Sequence, residues 1–205
     1  MSVKVKICGI RTIDAAKVAV AAGVDYLGLN FVPTSKRYIS KQQAKEIVNV
    51  SAVNIPIVGI FQNENIDVVN NLIDEVGLDF AQLHGDEDME YIKKIKTKVI
   101  KAFRLAANNT ADDIIEEMKK YSVDYFLIDR EVQGQGGIVD LEKAQVIAKN
   151  FPVFFAGGLN PENVAEIINT VKPFGVDVAG GIETNGIEDL NKIKEFIKNA
   201  KGAQL

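Results

Sequence analysis

The chain has 205 residues, with 24 basic and 28 acidic side chains, one cysteine and one histidine. A chain of this length buries roughly 70% of its unfolded surface, so it needs no disulfide or metal to stabilise a core. The single histidine excludes zinc sites built from two or more histidines. The net charge of −4 argues against a nucleic-acid partner.

The cysteine and the N-terminus indicate the cellular location. Cys8 has no second cysteine to pair with, which suits a reducing cytoplasm. The N-terminal MSVKVKICGI carries lysines where a signal peptide needs an apolar core. The longest uncharged stretch, Ile47 to Asn63, is interrupted by Pro56 and is too short to span a bilayer. We expect a cytoplasmic protein that makes no membrane contact.

Short β-branched runs alternate along the chain with segments of helical spacing. The predicted strands are Val3–Cys8, Asp25–Phe31, Pro56–Phe61, Asp79–His84, Lys98–Phe103, Asp124–Asp129, Pro152–Ala156 and Val176–Ala179. The seventh helix is the clearest, because Asn160 is a good N-cap and Pro161 fits the first helical position. Its apolar stripe comprises Val164, Ile167, Ile168 and Val171. The last helix is predicted to bury Leu190, Ile193 and Ile197.

The number of strand–helix units predicts the fold. Eight units in 205 residues give about 26 residues each, the lower end for an eight-stranded parallel (β/α)8 TIM barrel. A weak repeat supports the count, in which Asp25, Asp79, Asp124 and Asp177 each open an even-numbered strand. We therefore expect a single α/β barrel domain over residues 1–205. The alternative is a doubly wound open sheet, which more often has five or six strands and a Gly-rich turn after the first.

Polar residues follow four of the predicted strands. Cys8, Asn30, His84 and Asp129 stand at strand ends, and in a (β/α)8 barrel these ends converge on the active site. Gly157-Gly158 and Gly180-Gly181 follow the last two strands. Barrels commonly bind a phosphate with backbone N–H groups of these two loops. The sequence thus predicts a phosphorylated small-molecule substrate.

Five segments carry a resemblance to a known family. They are Lys6-Ile7-Cys8-Gly9-Ile10, Pro33-x-Ser35-x-Arg37-Tyr38-Ile39-Ser40, Gln82-Leu83-His84-Gly85, Gly157-Gly158-Leu159-Asn160-Pro161-Glu162-Asn163-Val164 and Val176-Asp177-Val178. In these, the chain resembles phosphoribosylanthranilate isomerases of tryptophan biosynthesis. The resemblance implies an Amadori rearrangement of N-(5-phosphoribosyl)anthranilate to 1-(2-carboxyphenylamino)-1-deoxyribulose 5-phosphate.

The resemblance also implies roles for individual residues. Cys8 takes the position of the general base, Asp129 that of the general acid and Arg37 that of the group binding the substrate carboxylate. His84 and Asp177 fall among the substrate-binding residues. The chemistry agrees, because an acid must protonate the furanose oxygen and a base must then remove the C2 proton. The rearrangement needs no redox cofactor or metal.

Cys8 needs activation to act as a base, since a free thiol has a pKa of about 8.5. We expect the first helix and Lys6 to supply a dipole and a cation that lower it. An inward Lys6 also needs a partner, and Asp177 is the acidic residue on the strand that closes the barrel. We predict a Lys6–Asp177 ion pair. The competing interpretation places Asp177 at the barrel floor, like the other repeat aspartates.

The chain departs from the family pattern in two places. After the sixth strand, Arg130 and the loop Gln133-Gly134-Gln135-Gly136-Gly137 replace a Thr or Ser and a Gly-Gly-Thr-Gly loop. After the eighth strand, Ala179-Gly180-Gly181 replaces Ser-Ser-Gly. Two other functions therefore stay open: another sugar-phosphate isomerase on the same fold, and a non-catalytic barrel that binds a phosphorylated ligand. The sequence also leaves open whether the chain forms a homodimer.

Overall fold

The eight predicted strands close into a parallel barrel in a computed structural model of the chain, which describes residues 3–51, 55–106, 108–130 and 140–203. They are β1 (Lys4–Cys8), β2 (Tyr26–Asn30), β3 (Ile57–Phe61), β4 (Phe80–Leu83), β5 (Lys98–Leu105), β6 (Tyr125–Arg130), β7 (Val153–Phe155) and β8 (Gly175–Val178). Each strand pairs with the next, and β8 pairs with β1, so that Asp177 lies opposite Lys6. The (β/α)8 TIM barrel is confirmed, and the open-sheet alternative is wrong.

Helices follow the strands in turn. They are α1 (Ile13–Ala21), α2 (Lys41–Ser51), α3 (Ile66–Val76), α4 (Met89–Ile92), α5 (Ala111–Met118), α6 (Leu141–Asn150), α7 (Val164–Val171) and α8 (Leu190–Gly202). Between β8 and α8 the chain forms a 3₁₀ turn (Gly180–Ile182) and a hairpin of β9 (Glu183–Thr184) and β10 (Ile187–Glu188). This hairpin was not predicted from the sequence. Within the described ranges, no helix combines the length and apolarity needed to cross a membrane.

The barrel interior is apolar in its lower part, toward the amino ends of the strands, and polar in its upper part, toward their carboxyl ends. Its lower part is a cluster of inward-facing side chains: Tyr26, Val58, Phe80, Ile100, Leu127, Phe154 and Ala156. Successive side chains of a strand alternate between the two faces of the sheet. The next inward positions on β4 and β6 are therefore Gln82 and Asp129, so the site residues rest directly on this core.

The repeat aspartates tie strands together. Asp25, Asp79 and Asp124 each directly precede an even-numbered strand, and each accepts a 2.8 Å hydrogen bond from a backbone N–H of the preceding strand. The donors belong to Val5, Ile57 and Val99. Asp177 differs, because β8 begins at Gly175 and Asp177 is its third residue. Its placement at the barrel floor is wrong.

Two helices differ in detail from the prediction. Asn160 and Asn163 exchange side-chain-to-backbone hydrogen bonds of 2.9 Å, which hold the intervening residues in a turn, so α7 begins only at Val164 and Asn160 is not its N-cap. The predicted stripe of α7 is buried throughout. In α8, Leu190 is 37% exposed at the first helical position, and Phe196 is buried on the apolar face beside Ile193 instead.

Candidate active site

A cavity of about 870 Å³ opens at the carboxyl ends of the barrel strands. All the candidate site residues line it: Cys8, Arg37, His84, Asp129, Gly157, Gly158, Asp177, Gly180 and Gly181. Asn30, the remaining strand-end residue, lines it as well. Residues that are far apart in the sequence therefore meet at one mouth because parallel strands deliver their carboxyl ends to the same face of the barrel.

A buried ion pair lies at the base of this cavity. The Lys6 ammonium is 2.8 Å from Asp177 Oδ1, and the lysine side chain is fully buried. Burial opposes the charge on Lys6, but the Asp177 carboxylate, with a smaller contribution from Cys8, outweighs burial and raises the pKa of the lysine. The predicted Lys6–Asp177 pair is confirmed.

The Cys8 thiol lies beside this pair, but it is not activated as expected. Desolvation and the Asp177 carboxylate raise the pKa of Cys8 to about 11, and the Lys6 ammonium offsets only part of that rise. The helix dipole does not help, since α1 begins at Ile13 after its N-cap Thr12, and the dipole acts only within the first turn. Lys6 acts in the expected direction, but the expected activation of Cys8, a pKa below that of a free thiol, is wrong.

Asp129 occupies the last inward position of β6. Its side chain is partly exposed to the cavity. The neighbouring strand places Arg104 in register with it, and Arg104 also lines the cavity. Arg104 was not predicted, because the fifth strand was expected to end at Phe103, whereas β5 continues to Leu105. The strand alternation of β5, read one residue past Phe103, would have found it.

His84 is a neutral side chain in this site. Its Nε2 lies 2.6 Å from Gln82 Nε2, which donates to it, so the ring proton is assigned to Nδ1. Desolvation, with the cations of Lys6, Arg104 and Lys101, lowers the pKa of His84 to about 3. The imidazole is therefore uncharged at neutral pH.

The loop after β4, which follows His84, is anchored from outside the barrel. The buried Lys101 ammonium donates to the Gly85 carbonyl at 2.6 Å and to Glu87 Oε2 at 2.9 Å. Glu87 in turn accepts from the backbone N–H groups of Asn63 and Gly85. These contacts fix the backbone that positions the imidazole.

The two glycine loops lie against each other. Gly157 and Gly158 have φ angles of +91° and +81°, which place both in the left-handed region. A Cβ at position 181 would lie only 1.9 Å from the Leu159 carbonyl oxygen, so glycine permits the contact between the loops. Among the described residues, none accepts a hydrogen bond from the N–H of Gly157 or Gly158. These two donors are free to meet an anion in the cavity.

Arg37 reaches the cavity already paired. Its Nε and Nη2 donate to the two carboxylate oxygens of Glu183 on β9, each at 2.8 Å. The guanidinium was expected to bind a substrate carboxylate, but its Nε–Nη2 edge is occupied by Glu183. Glu183 was not predicted, because a contact between the second and eighth units leaves no local signal in the sequence.

Comparisons with known proteins identify the family. The model of the family described as N-(5'phosphoribosyl)anthranilate (PRA) isomerase matches residues 5–199. The N-(5'-phosphoribosyl)anthranilate isomerase of Geotalea uraniireducens is 42% identical over 204 residues, covering 97% of this chain and 98% of its own. The chain belongs to this family.

Solved members of the phosphoribosylanthranilate isomerase family share the architecture. Monomers generated from the dimeric enzyme of Thermotoga maritima are 36% identical, with a TM-score of 0.86 over 98% of this chain and 99% of that one. The same values apply to a phosphoribosyl anthranilate isomerase in complex with reduced 1-(o-carboxyphenylamino)-1-deoxyribulose 5-phosphate. The activity expected from the sequence is confirmed: this chain is an isomerase that acts in tryptophan biosynthesis.

The two departures from the family pattern have different outcomes. Ala179 and Gly180 leave no hydroxyl after β8, so backbone groups are the donors available in this loop. The loop Gln133–Gly137 lies outside the described residues. Asp140, which follows it, caps α6 by accepting from the N–H groups of Glu142 and Lys143. Within the described part of the chain, no cluster of His, Cys, Asp and Glu side chains is arranged to hold a metal ion.

Proposed function

We propose that Cys8 and Asp129 perform the proton transfers of the Amadori rearrangement. Asp129, in its acid form, protonates the furanose oxygen of N-(5-phosphoribosyl)anthranilate, the C1–O bond breaks, and the nitrogen lone pair forms an iminium. Cys8, as the thiolate, then removes the C2 proton to give an enolamine. Tautomerisation of the enolamine yields the ketose. No electrons leave the substrate, so the reaction requires no redox cofactor.

Because the pKa of Cys8 is high, catalysis depends on which of Cys8 and Asp129 carries a proton. In the reactive form of the enzyme, Asp129 is protonated and Cys8 is a thiolate. When Cys8 removes the C2 proton of the substrate, the sulfur becomes protonated again. The iminium cation that Asp129 generates lies next to C2, and a nearby positive charge favours a thiolate. Ring opening therefore prepares the base for the following step.

Three sets of protein groups, two of side chains and one of backbone N–H groups, hold the substrate in this proposal. Arg37 binds the anthranilate carboxylate through N–H groups that Glu183 leaves free, and the glycine loops bind the phosphate through backbone N–H groups. Neutral His84 and the Asp177 carboxylate contact the sugar hydroxyls. The N–H groups of Gly157 and Gly158, for which no described residue supplies an acceptor, support the phosphate position.

We propose that the chain forms a homodimer. We also propose that it is located in the cytoplasm. The Thermotoga maritima relative described as dimeric supports the first, and the lone cysteine supports the second. Light scattering of the purified protein tests the dimer. A mass of two chains supports it, and a mass of one chain contradicts it.

One observation carries the proposed catalytic roles: Cys8 and Asp129 line one cavity with both glycine loops. The test is a coupled assay in which anthranilate and phosphoribosyl pyrophosphate are joined by an anthranilate phosphoribosyltransferase. Added protein should accelerate the decay of phosphoribosylanthranilate fluorescence above the spontaneous rate. Binding without accelerated decay would contradict the proposal, and Cys8→Ala serves as the matched control for contaminating activity.

A further inference from the structure

The Arg37–Glu183 contact is a closed fork within the protein. Both donors of the Nε–Nη2 edge reach carboxylate oxygens at 2.8 Å, the arrangement in which arginine binds carboxylates most strongly. The side chains are only 13% and 7% exposed. This pairing consumes one edge of the guanidinium and leaves Nη1 and one N–H of Nη2 for other acceptors.

The hairpin that carries Glu183 is itself fixed to the barrel. Arg11 donates from its backbone N–H to Glu188 Oε1 at 2.5 Å and from Nη2 to the Gly186 carbonyl at 2.7 Å. Lys192 donates to the Glu183 carbonyl at 3.0 Å. The Glu183 carboxylate is therefore presented from an anchored segment and not from a loose loop.

The aliphatic part of the Arg37 side chain is packed as closely as its guanidinium. Gly9 has a φ of +76°, and a Cβ there would lie 2.4 Å from Arg37 Cδ, so the arginine stem packs directly over the residue that follows Cys8. A Cβ on Gly180 would lie 3.2 Å from Nη2. The guanidinium thus sits between the turn after β1 and the loop after β8.

We propose that Glu183 is a positioning residue that makes this isomerase select substrates whose aromatic amine carries a carboxylate, as anthranilate does. It locks one edge of Arg37, so the other edge faces the cavity in a single orientation. It also neutralises the guanidinium in the free protein, so recognition depends on directed hydrogen bonds more than on net charge. This inference rests on the proposed role of Arg37.

The first test is the steady-state kinetics of Glu183→Ala. We expect KM to rise about 10-fold and kcat to change less than about 3-fold, because an unheld Arg37 loses orientation while the proton-transfer groups remain. Glu183→Gln keeps one acceptor oxygen and should raise KM about 3-fold. Glu75→Ala is the matched control, since it removes an ion-paired carboxylate on α3 that does not line the cavity. Its KM should stay within about 2-fold of the parent.

The second test separates positioning from a loosened structure. Glu183→Ala should weaken binding of 1-(2-carboxyphenylamino)-1-deoxyribulose 5-phosphate about 10-fold and leave binding of the phenylamino compound without a carboxylate unchanged. Equal weakening of both compounds, or an unchanged KM, would overturn the inference.

The third test asks whether Glu183 acts through Arg37. In an Arg37→Ala background, Glu183→Ala should have no further effect on KM, and an additive effect would overturn the inference. If Arg37→Ala alone leaves KM unchanged, the proposed role of Arg37 fails, and this inference fails with it. If Arg37→Ala raises KM but Glu183→Ala does not, only the inference about Glu183 fails.

Discussion

The ammonium of Lys6 lies 2.8 Å from the carboxylate of Asp177, across the seam where the first and last strands of the barrel meet. The pair lies below the proposed base Cys8, which is two residues beyond Lys6 on the same face of β1. It also sets the electrostatics of the thiol, because the two charges act on the sulfur in opposite directions.

Breaking this pair should destabilise the fold. Lys6→Met leaves the Asp177 charge buried without its partner, and such a change costs about 3–5 kcal/mol of unfolding free energy. Denaturant titration measures the loss. The double variant Lys6→Met/Asp177→Asn should recover most of it, since no charge remains; a double variant as unstable as the single one would contradict the ion-pair account.

The single thiol allows a direct measurement of its ionisation. The rate of alkylation by iodoacetamide should keep rising with pH towards about 11 in the folded protein. In the urea-unfolded chain the alkylation rate should level off above about pH 8.5, the pKa of a free thiol. Between these values unfolding releases a proton, so stability should fall as pH rises. Coincident profiles for the folded and unfolded chain would contradict the raised pKa.

His84 should make the protein sensitive to acid. Its folded pKa of about 3 lies below its ordinary value of 6.5, so the unfolded chain binds a proton that the folded protein does not. The unfolding free energy should therefore fall more steeply between pH 6.5 and pH 4 in the parent than in His84→Gln. Urea titrations at several pH values test this. Parallel curves for the two proteins would show that the imidazole is not held neutral.

The barrel and its mouth could be predicted because both follow from local patterns. Short β-branched runs between segments of helical spacing located all eight strands, and the ends of these runs placed Cys8 and Asp129 at the carboxyl ends of their strands. The Lys6–Asp177 pair followed from the rule that a buried ammonium needs a partner. Family resemblance supplied the reaction, which spacing alone does not specify.

Two of the errors have a different origin, since they depend on contacts that the local sequence does not encode. The pKa of Cys8 rises because surrounding atoms remove water from the thiol, and this desolvation depends on the packed barrel. The fork between Arg37 and Glu183 joins residues 146 positions apart, through a hairpin without a clear strand pattern. The start of α7 shifted because two asparagine side chains stabilise a turn that competes with the helix.

The proposed proton transfers are tested most directly by the turnover of Cys8→Ala and Asp129→Asn with saturating phosphoribosylanthranilate. The affinity of each variant for the product, 1-(2-carboxyphenylamino)-1-deoxyribulose 5-phosphate, is measured in parallel. Each variant removes one proton-transfer group, so kcat should fall by at least about 100-fold. Product affinity should stay within about 3-fold, because the groups that bind the carboxylate and phosphate remain. A variant that retains more than about a tenth of the parent kcat would contradict the role assigned to the residue it replaces.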